Sequence, residues 1–468
     1  MGFALSILYF VVNYLTPPVV FGQLAVARVE LILAILIFVI SIPKLMGSII
    51  FKTPQSVAVI GLAFAGSLSV FFGMHWITGA VQAFPLFLPC AYAYFLICLH
   101  CNSRKKLQVI VLMLLAVCLF VIVHGYLDLH YHVAESSTLL PGASGNVNMD
   151  FWDIQHPYLL SQQIATGERI YRLRGLGLMN DPNDFGQVIV CVIPLQLIFW
   201  RPKNTPRNIM FVIMPILTLL FGVYLTHSRG ALLALMAIMI VAARRRTGTL
   251  PALLIAGGVF VAAMALNFTG GRNISSSTGS DRTALWGAGL QMLKSHPLFG
   301  VGLGGFIDNC SGCGLTAHNS LVVCAAELGL FGLFFWSMFL YATARDALAV
   351  ASPSKVSEPD PVMPVEVRSF HRTSKTEAID KTEINRLGRL LVLSFTGFLV
   401  AGWFLSRAYV MTFFLLGGMV EVVYEMALRR GMIAPRLRMA RLIPYVGGFE
   451  ISLVLLMYVL LRTVNLMH

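Results

Sequence analysis

Charge is scarce in this sequence: Asp, Glu, Lys and Arg make up 12% of its 468 residues, about half the share found in a soluble domain. A solvated globular protein of this length is excluded on that ground alone. Signatures of nucleotide chemistry are missing as well. The chain has no phosphate loop with its lysine and no dinucleotide fingerprint. It also has no Asp-x-Asp pair, the usual companion of a metal and a nucleotide sugar. No fixed-period repeat runs through it. What is abundant is apolar, at 57%. These residues fall in blocks of roughly 17–25, long enough to cross about 30 Å of hydrocarbon as helix. In lipid each backbone polar group must be satisfied within its own segment, so the blocks are expected to be helices. The reading is an all-α, polytopic membrane helical bundle of about 12–13 transmembrane helices, with residues 1–468 as a single integral membrane domain.

The expected spans are 3–22, 26–42, 55–73, 84–101, 107–124, 184–200, 208–226, 231–243, 250–267, 319–344, 389–405, 410–427 and 443–462. The first lacks the basic flank and small-residue cleavage site of a signal peptide, and reads as a spanning or half-spanning helix. Basic breaks recur on alternate loops, at Lys44 to Lys52, Arg104 to Lys106, Arg201 to Arg207, Arg244 to Arg246 and Arg429 to Arg441. Lys and Arg gather on the cytoplasmic side, so the net charge of +13 is mainly a topology signal. Nucleic acid is not an expected partner, because the basic residues sit in short loops without interleaved aromatics. The lipid bilayer is. This orientation leaves 125–183 and 268–318 outside as two long segments that form the active-site face. It leaves 346–388, rich in Ser, Pro, Glu and Lys, inside as a flexible loop.

The outer face keeps ten basic residues, and nine are arginine: Arg28, Arg169, Arg172, Arg174, Arg229, Arg272, Arg282, Arg407 and Arg462, with Lys294 the exception. Arginine presents a planar fork that grips phosphate bidentately, so this bias points to a lipid phosphate or diphosphate. The plain alternative is anchoring at the headgroups, which suits Arg28 and Arg462 best and Arg169 next. Arg229 is harder to read that way. It sits in His227-Ser228-Arg229-Gly230, a tight break between apolar spans, and a cation near hydrocarbon usually faces a polar interior. Arg174 opens a run ending in Asn180-Asp181-Pro182-Asn183-Asp184, a turn and helix-cap signal. Asp281 could cap a short helix carrying Arg282 and Trp286 on one face. The glycines between Pro297 and Phe306 match no phosphate-cradling spacing and read as tight backbone turns. His318, followed by Asn319, stands at the mouth of a long apolar span, where imidazole could take a proton from a hydroxyl. Cys310 and Cys313 are either a disulfide or free thiols; with His318 they do not complete a zinc shell.

In their order these motifs resemble the O-antigen ligase and O-antigen polymerase superfamily of bacterial lipid-linked glycan transferases. The resemblance rests on 174–184, Ser228-Arg229-Gly230-Ala231, Asp281-Arg282 to Trp286, Pro297 to Phe306, His318-Asn319-Ser320 and Glu327 to Gly332. It implies an inverting, metal-independent transfer without cofactor at the periplasmic face of the inner membrane. The donor would be a glycan on undecaprenyl diphosphate and the acceptor a sugar hydroxyl, that of lipid A–core for a ligase. Polymerases of the family use a second lipid-linked repeat, and relatives use protein. Carried across residue by residue, Arg229 and Arg282 resemble arginines that hold the diphosphate, Arg174 an accessory arginine, and His318 the histidine that activates the acceptor. His227, Asp281, Asn319 and Trp286 are candidates for support, and Arg229, Arg282 and His318 are expected to act together. The rival class is a transporter or flippase of a lipid-linked or anionic solute.

Overall fold

The structure, a computed structural model, describes residues 1–17, 28–48, 50–131, 156–163, 167–270, 276–310, 313–352 and 381–466, with backbone alone for Arg245, 276–281 and 464–466. It is a helical membrane bundle. Among the described residues ten helices are long and apolar enough to cross a bilayer. Among the described residues each of the thirteen expected spans is helical over most of its length, with 18–22 and 26–27 outside the described residues and 403–405 of the expected 389–405 span beyond the helix end; a fourteenth helix lies outside the expected spans. In chain order they are α1 (Gly2–Leu15), α2 (Val29–Met46), α3 (Pro54–Met74), α4 (Ile77–His100), α5 (Arg104–Tyr131), α6 (Pro182–Phe199), α7 (Thr205–Thr226), α8 (Arg229–Thr247), α9 (Thr249–Ala265), α10 (Ser276–Ser295), α11 (Ser320–Ala351), α12 (Lys381–Gly402), α13 (Met411–Arg429) and α14 (Met439–Leu466). Three expected spans fall short of the ten. α1 and α9 are shorter than a full crossing, and α8 ends in Arg244-Arg245-Arg246.

The helix starts follow from local chemistry. Thr53 caps α3 by accepting from the Ser56 N–H, with Pro54 at the first helical position. Asp181 caps α6 in the same way, accepting from Asn183 at 2.7 Å ahead of Pro182. Ser228 caps α8 and Asn319 caps α11. By contrast α10 begins at Ser276, so Asp281 lies inside the helix rather than at its cap. Ser, Thr and Gly ahead of Asp281 have weak helix propensity, which made a later start the better local guess.

By contact density the chain divides into two compact units. One holds Met1–Lys44, His100–Asn273 and Leu393–Ala401; the other holds Leu45–Leu99, Ile274–Val392 and Gly402–His468. In the first, glycines let helices meet. A side chain at Gly186 of α6 would press on Ser228 and Ala231 of α8, and one at Gly222 of α7 would strike Ile122 and Ile189. Gln187 of α6, fully surrounded by protein, donates to the Phe398 carbonyl at 2.9 Å. This unit also contains an antiparallel hairpin, β1 (Leu159–Gln163) with β2 (Arg169–Leu173), in register Leu160 to Arg172. It was not foreseen as strand. Its base is tied to α5, where buried Asp128 bonds the His156 Nδ1 at 2.8 Å. The rest of the expected 125–183 segment, 132–155 and 164–166, lies outside the described residues.

The second unit is built on α11 and α13, whose Phe339, Phe413 and Phe414 rings pack with centroids 4.9–5.3 Å apart. A buried ionic knot joins the two helices: Arg436 grips both Glu421 carboxylate oxygens at 2.8 and 2.7 Å and reaches Asp346 at 2.7 Å. Asp346, expected as the first residue of the 346–388 loop, is thus an integral part of α11, which runs on to Ala351. Residues 353–380 of that loop lie outside the described residues.

Candidate active site

The arginine cluster belongs to the first unit. Arg172, on β2, is only 4% exposed. Its Nε donates to the Thr226 carbonyl at 3.0 Å, and its Nη1 and Nη2 to Gln162 and Asn183 at 3.3 and 3.1 Å. The Asn183 Oδ1 also accepts from the Ser228 hydroxyl at 2.9 Å. That hydroxyl in turn accepts from the Ala231 N–H, capping α8. A chain of side-chain bonds therefore runs from the hairpin through α6 to the first turn of α8, where Arg229 stands. Arg229 is half-buried, and among the described residues it makes no hydrogen bond or ion pair. Burial, reinforced by the Arg229 charge and opposed by Asp181, pushes Arg172 down to about 10. It remains a cation at neutral pH, so two guanidiniums repel one another here at the positive end of α8. Such an arrangement favours an anion.

Arg174 and His227 flank this cluster. Arg174 is 2% exposed, with its Nε donating to the Pro157 carbonyl at 3.2 Å. His227 ends α7 in the left-handed region (φ 47°), and its Nδ1–H donates to the Phe268 carbonyl at 2.7 Å. That bond and strained backbone give His227 a positioning part in the turn that presents Ser228 and Arg229.

The histidine cluster belongs to the second unit and is mounted on one short segment, Trp403 to Arg407, just past α12. The Ser406 hydroxyl oxygen accepts from the His318 N–H at 2.8 Å and the Thr316 hydroxyl at 2.7 Å. Ser320 donates to the Leu405 carbonyl at 2.7 Å and accepts from the Arg407 N–H at 3.1 Å. Arg282 lies over the Phe404 ring, 5.9 Å from its centroid. Trp286 packs edge-on against Trp403 and donates its Nε1–H to the Ala317 carbonyl at 2.8 Å. His318 itself is half-buried and left-handed (φ 48°). Asn319 is fully buried, its Oδ1 accepting from Leu321 and Val322. The side chain of Asp281 lies outside what the structure describes.

The glycine-rich stretch turns out to be a brace. α11 is broken at Gly329 (φ 63°), a conformation only glycine takes easily. Freed backbone groups at the break are met by the loop. The Val301 and Gly302 N–H groups donate to Ala326 and Glu327, and the Leu330 and Phe331 N–H groups donate to Pro297 and Leu298. The buried Glu327 carboxylate accepts from the Gly304 and Phe306 N–H groups. Phe306 then packs where Gly289 leaves room on α10. The loop thus couples the helix bearing Arg282 and Trp286 to the helix that follows His318. Cys310 and Cys313, next along the chain, form a disulfide with Cα atoms 5.3 Å apart.

Arg174, His227 and Arg229 therefore share one unit, and Arg282, Trp286, His318 and Asn319 share the other. Arg172 and the 403–407 segment had not been picked out as site residues from the sequence. The Arg-x-Arg spacing at 172 and 174, matching the period of a strand, was the available signal for the former. The latter carries none, because its bonds are made by backbone and one serine. Residues 214–337, about a quarter of the chain, match the family Wzy_C, described as O-Antigen ligase. The match takes in Arg229, Arg282, Trp286, His318, Asn319 and Glu327 and leaves out Arg174. No curated protein matches the chain.

Proposed function

We propose, from the match of residues 214–337 to the O-antigen ligase family, that this chain is a multi-pass bacterial membrane glycosyltransferase, a ligase using undecaprenyl-diphosphate glycan as donor and lipid A–core as acceptor at the periplasmic face of the inner membrane. The observation that carries the donor assignment is Arg229, a half-buried guanidinium at a helix N-terminus without a hydrogen bond or ion pair among the described residues, beside buried Arg172. A diphosphate is the anion that fits a planar fork with a second cation behind it.

In the proposed reaction an acceptor sugar hydroxyl attacks the anomeric carbon from the face opposite the diphosphate. The bond between that carbon and the diphosphate oxygen breaks, and its electron pair leaves on undecaprenyl diphosphate. His318 takes the hydroxyl proton. In this reading Arg229 and Arg282, with Arg174 as an accessory arginine, offset the charge gathering on the departing diphosphate. One displacement inverts the anomeric centre, and the residues need no metal for either task. Asn319 fixes the helix start beside His318, and Trp286 fixes the backbone just before it.

The test is purified full-length protein given undecaprenyl-diphosphate glycan with lipid A–core, or with a second lipid-linked repeat, as separate acceptors. Glycan on lipid A–core, insensitive to a chelator, is the expected product. Chain growth on the lipid-linked repeat alone would make it a polymerase. Activity abolished by chelation and restored by a divalent cation would overturn the mechanism.

A further inference from the structure

A cleft of about 920 Å³ lies within the second unit, walled by α10 and α14 alone. That volume sits at the upper end of small-ligand pockets. The α14 wall is Leu455, Tyr458 and their neighbours, on a helix that shows much of its apolar surface. The α10 wall includes Gly287, and a Cβ built there meets nothing within 4 Å. The floor of the cleft is therefore open space rather than packed side chain. α14 is apolar enough to span a bilayer and α10 is not among the spanning helices, so the cleft has one wall of each kind.

Charge singles the cleft out from an ordinary lipid-facing surface. Lys294 enters it from α10 and Arg462 from α14, and no lining residue is acidic. Both cations are exposed, and among the described residues neither makes a hydrogen bond or an ion pair. A lone Arg at the end of a spanning helix is commonly an anchor at the headgroups. Two cations from different helices, unpaired among the described residues and lining one apolar cleft, suit an anion that carries hydrocarbon. We propose that this cleft binds one anionic phospholipid, its phosphate taken by Lys294 and Arg462 and an acyl chain laid over Gly287. Because Arg282 is one residue ahead of Thr283, which lines the cleft, an occupant would also steady the helix that bears a site arginine. The proposal concerns lipid binding and stands apart from the reaction proposed above.

The experiment is native mass spectrometry of the full chain in detergent, titrated with phosphatidylglycerol or phosphatidylcholine. One saturable phosphatidylglycerol, preferred over phosphatidylcholine, is expected. Lys294→Gln with Arg462→Gln should lower that affinity about 10–30-fold, the loss of two juxtamembrane cations. Gly287→Phe should lower it comparably by filling the floor, since the space beside Gly287 is empty and the helix can carry the larger residue. The charge-preserving pair Lys294→Arg and Arg462→Lys should bind as the parent does. Excess inorganic phosphate should fail to displace the lipid. Equal binding of both lipids, or unchanged affinity in both the double variant and Gly287→Phe, would overturn the proposal. Displacement by free phosphate would do so too, because the cleft would then be an anion site without a chain.

Discussion

The arginine cluster and the histidine cluster are held by opposite means. Around Arg229 the scaffold is side chains: Arg172, Asn183 and Ser228 pass hydrogen bonds from strand to helix to helix. Around His318 it is largely backbone, with Ser406 and Ser320 clasping the His318 and Arg407 N–H groups and the Leu405 carbonyl. Side-chain scaffolds tune charge, and here they hold a second cation, Arg172, within electrostatic reach of Arg229. Backbone scaffolds set position, which is what a base needs when it must meet a hydroxyl at hydrogen-bond distance. On the proposed function, the first cluster would bind the donor and the second would place the base.

That difference breaks most sharply on kinetics. His318→Ala should lower the transfer rate about 10²–10⁴-fold, the usual contribution of a general base, while donor binding stays near the parent value. Arg229→Ala should instead weaken the donor, and Arg229→Lys should fail nearly as badly, because lysine keeps the charge and loses the fork. If Arg229 and Arg282 hold one diphosphate, the double alanine variant will lose less than the sum of the singles. Full activity in both His318→Ala and Arg229→Ala, measured on protein that inserts normally, would remove the glycosyl-transfer reading and leave the transporter ahead.

Next in size is Arg172→Gln. It removes a buried cation and leaves Asn183 and the Thr226 carbonyl short of donors, a cost of about 1–3 kcal/mol in stability by general experience. Donor affinity should fall with the rate of bound donor little changed. A variant that lost turnover but held its donor would mean that Arg172 serves placement, against the distinction drawn above. Ser406→Ala is its counterpart in the other cluster. It takes the acceptor from the His318 N–H and the Thr316 hydroxyl, and should slow turnover about tenfold by letting the loop drift. Ser406→Thr, which keeps the hydroxyl, should restore most of the rate, and unchanged turnover in the alanine variant would show that the backbone is held without it.

The helices were legible because lipid leaves the backbone so few solutions. Among the described residues the expected apolar blocks are helical over most of their length, with 403–405 beyond the helix end, and the cap expected in the 180–184 run is found at Asp181. The hairpin was not legible. Leu159 to Leu173 is short, mixed in polarity and stabilised by its tie to Asp128, which lies 28 residues before His156. Nor was the extension of α11 through Asp346, whose acidic side chain reads as loop until Arg436, 90 residues away, neutralises it. The same logic separates the site residues. Arg229, Arg282 and His318 could be named because their chemistry is written in their type, whereas Arg172 and Ser406 act through partners that only the fold supplies.

The smallest effect should come from the disulfide. It closes the histidine cluster's loop over a separation of three residues, and a ring that short constrains the unfolded chain by only about 2 kcal/mol on the loop-entropy relation. The loop it sits in is secured independently on its far side, where the Ala317 carbonyl meets Trp286 and Thr316 meets Ser406. On its near side the brace at Gly302 and Glu327 holds the chain before Cys310. Reduction, or the paired change Cys310→Ser and Cys313→Ser, should therefore leave turnover within about twofold of the parent, with any loss showing as a lower melting temperature. Transfer rates with and without a thiol reductant, read beside a thermal melt, separate the two outcomes. A fall in turnover matching His318→Ala would mean that the cystine, and not the Trp403 to Arg407 segment, places the base.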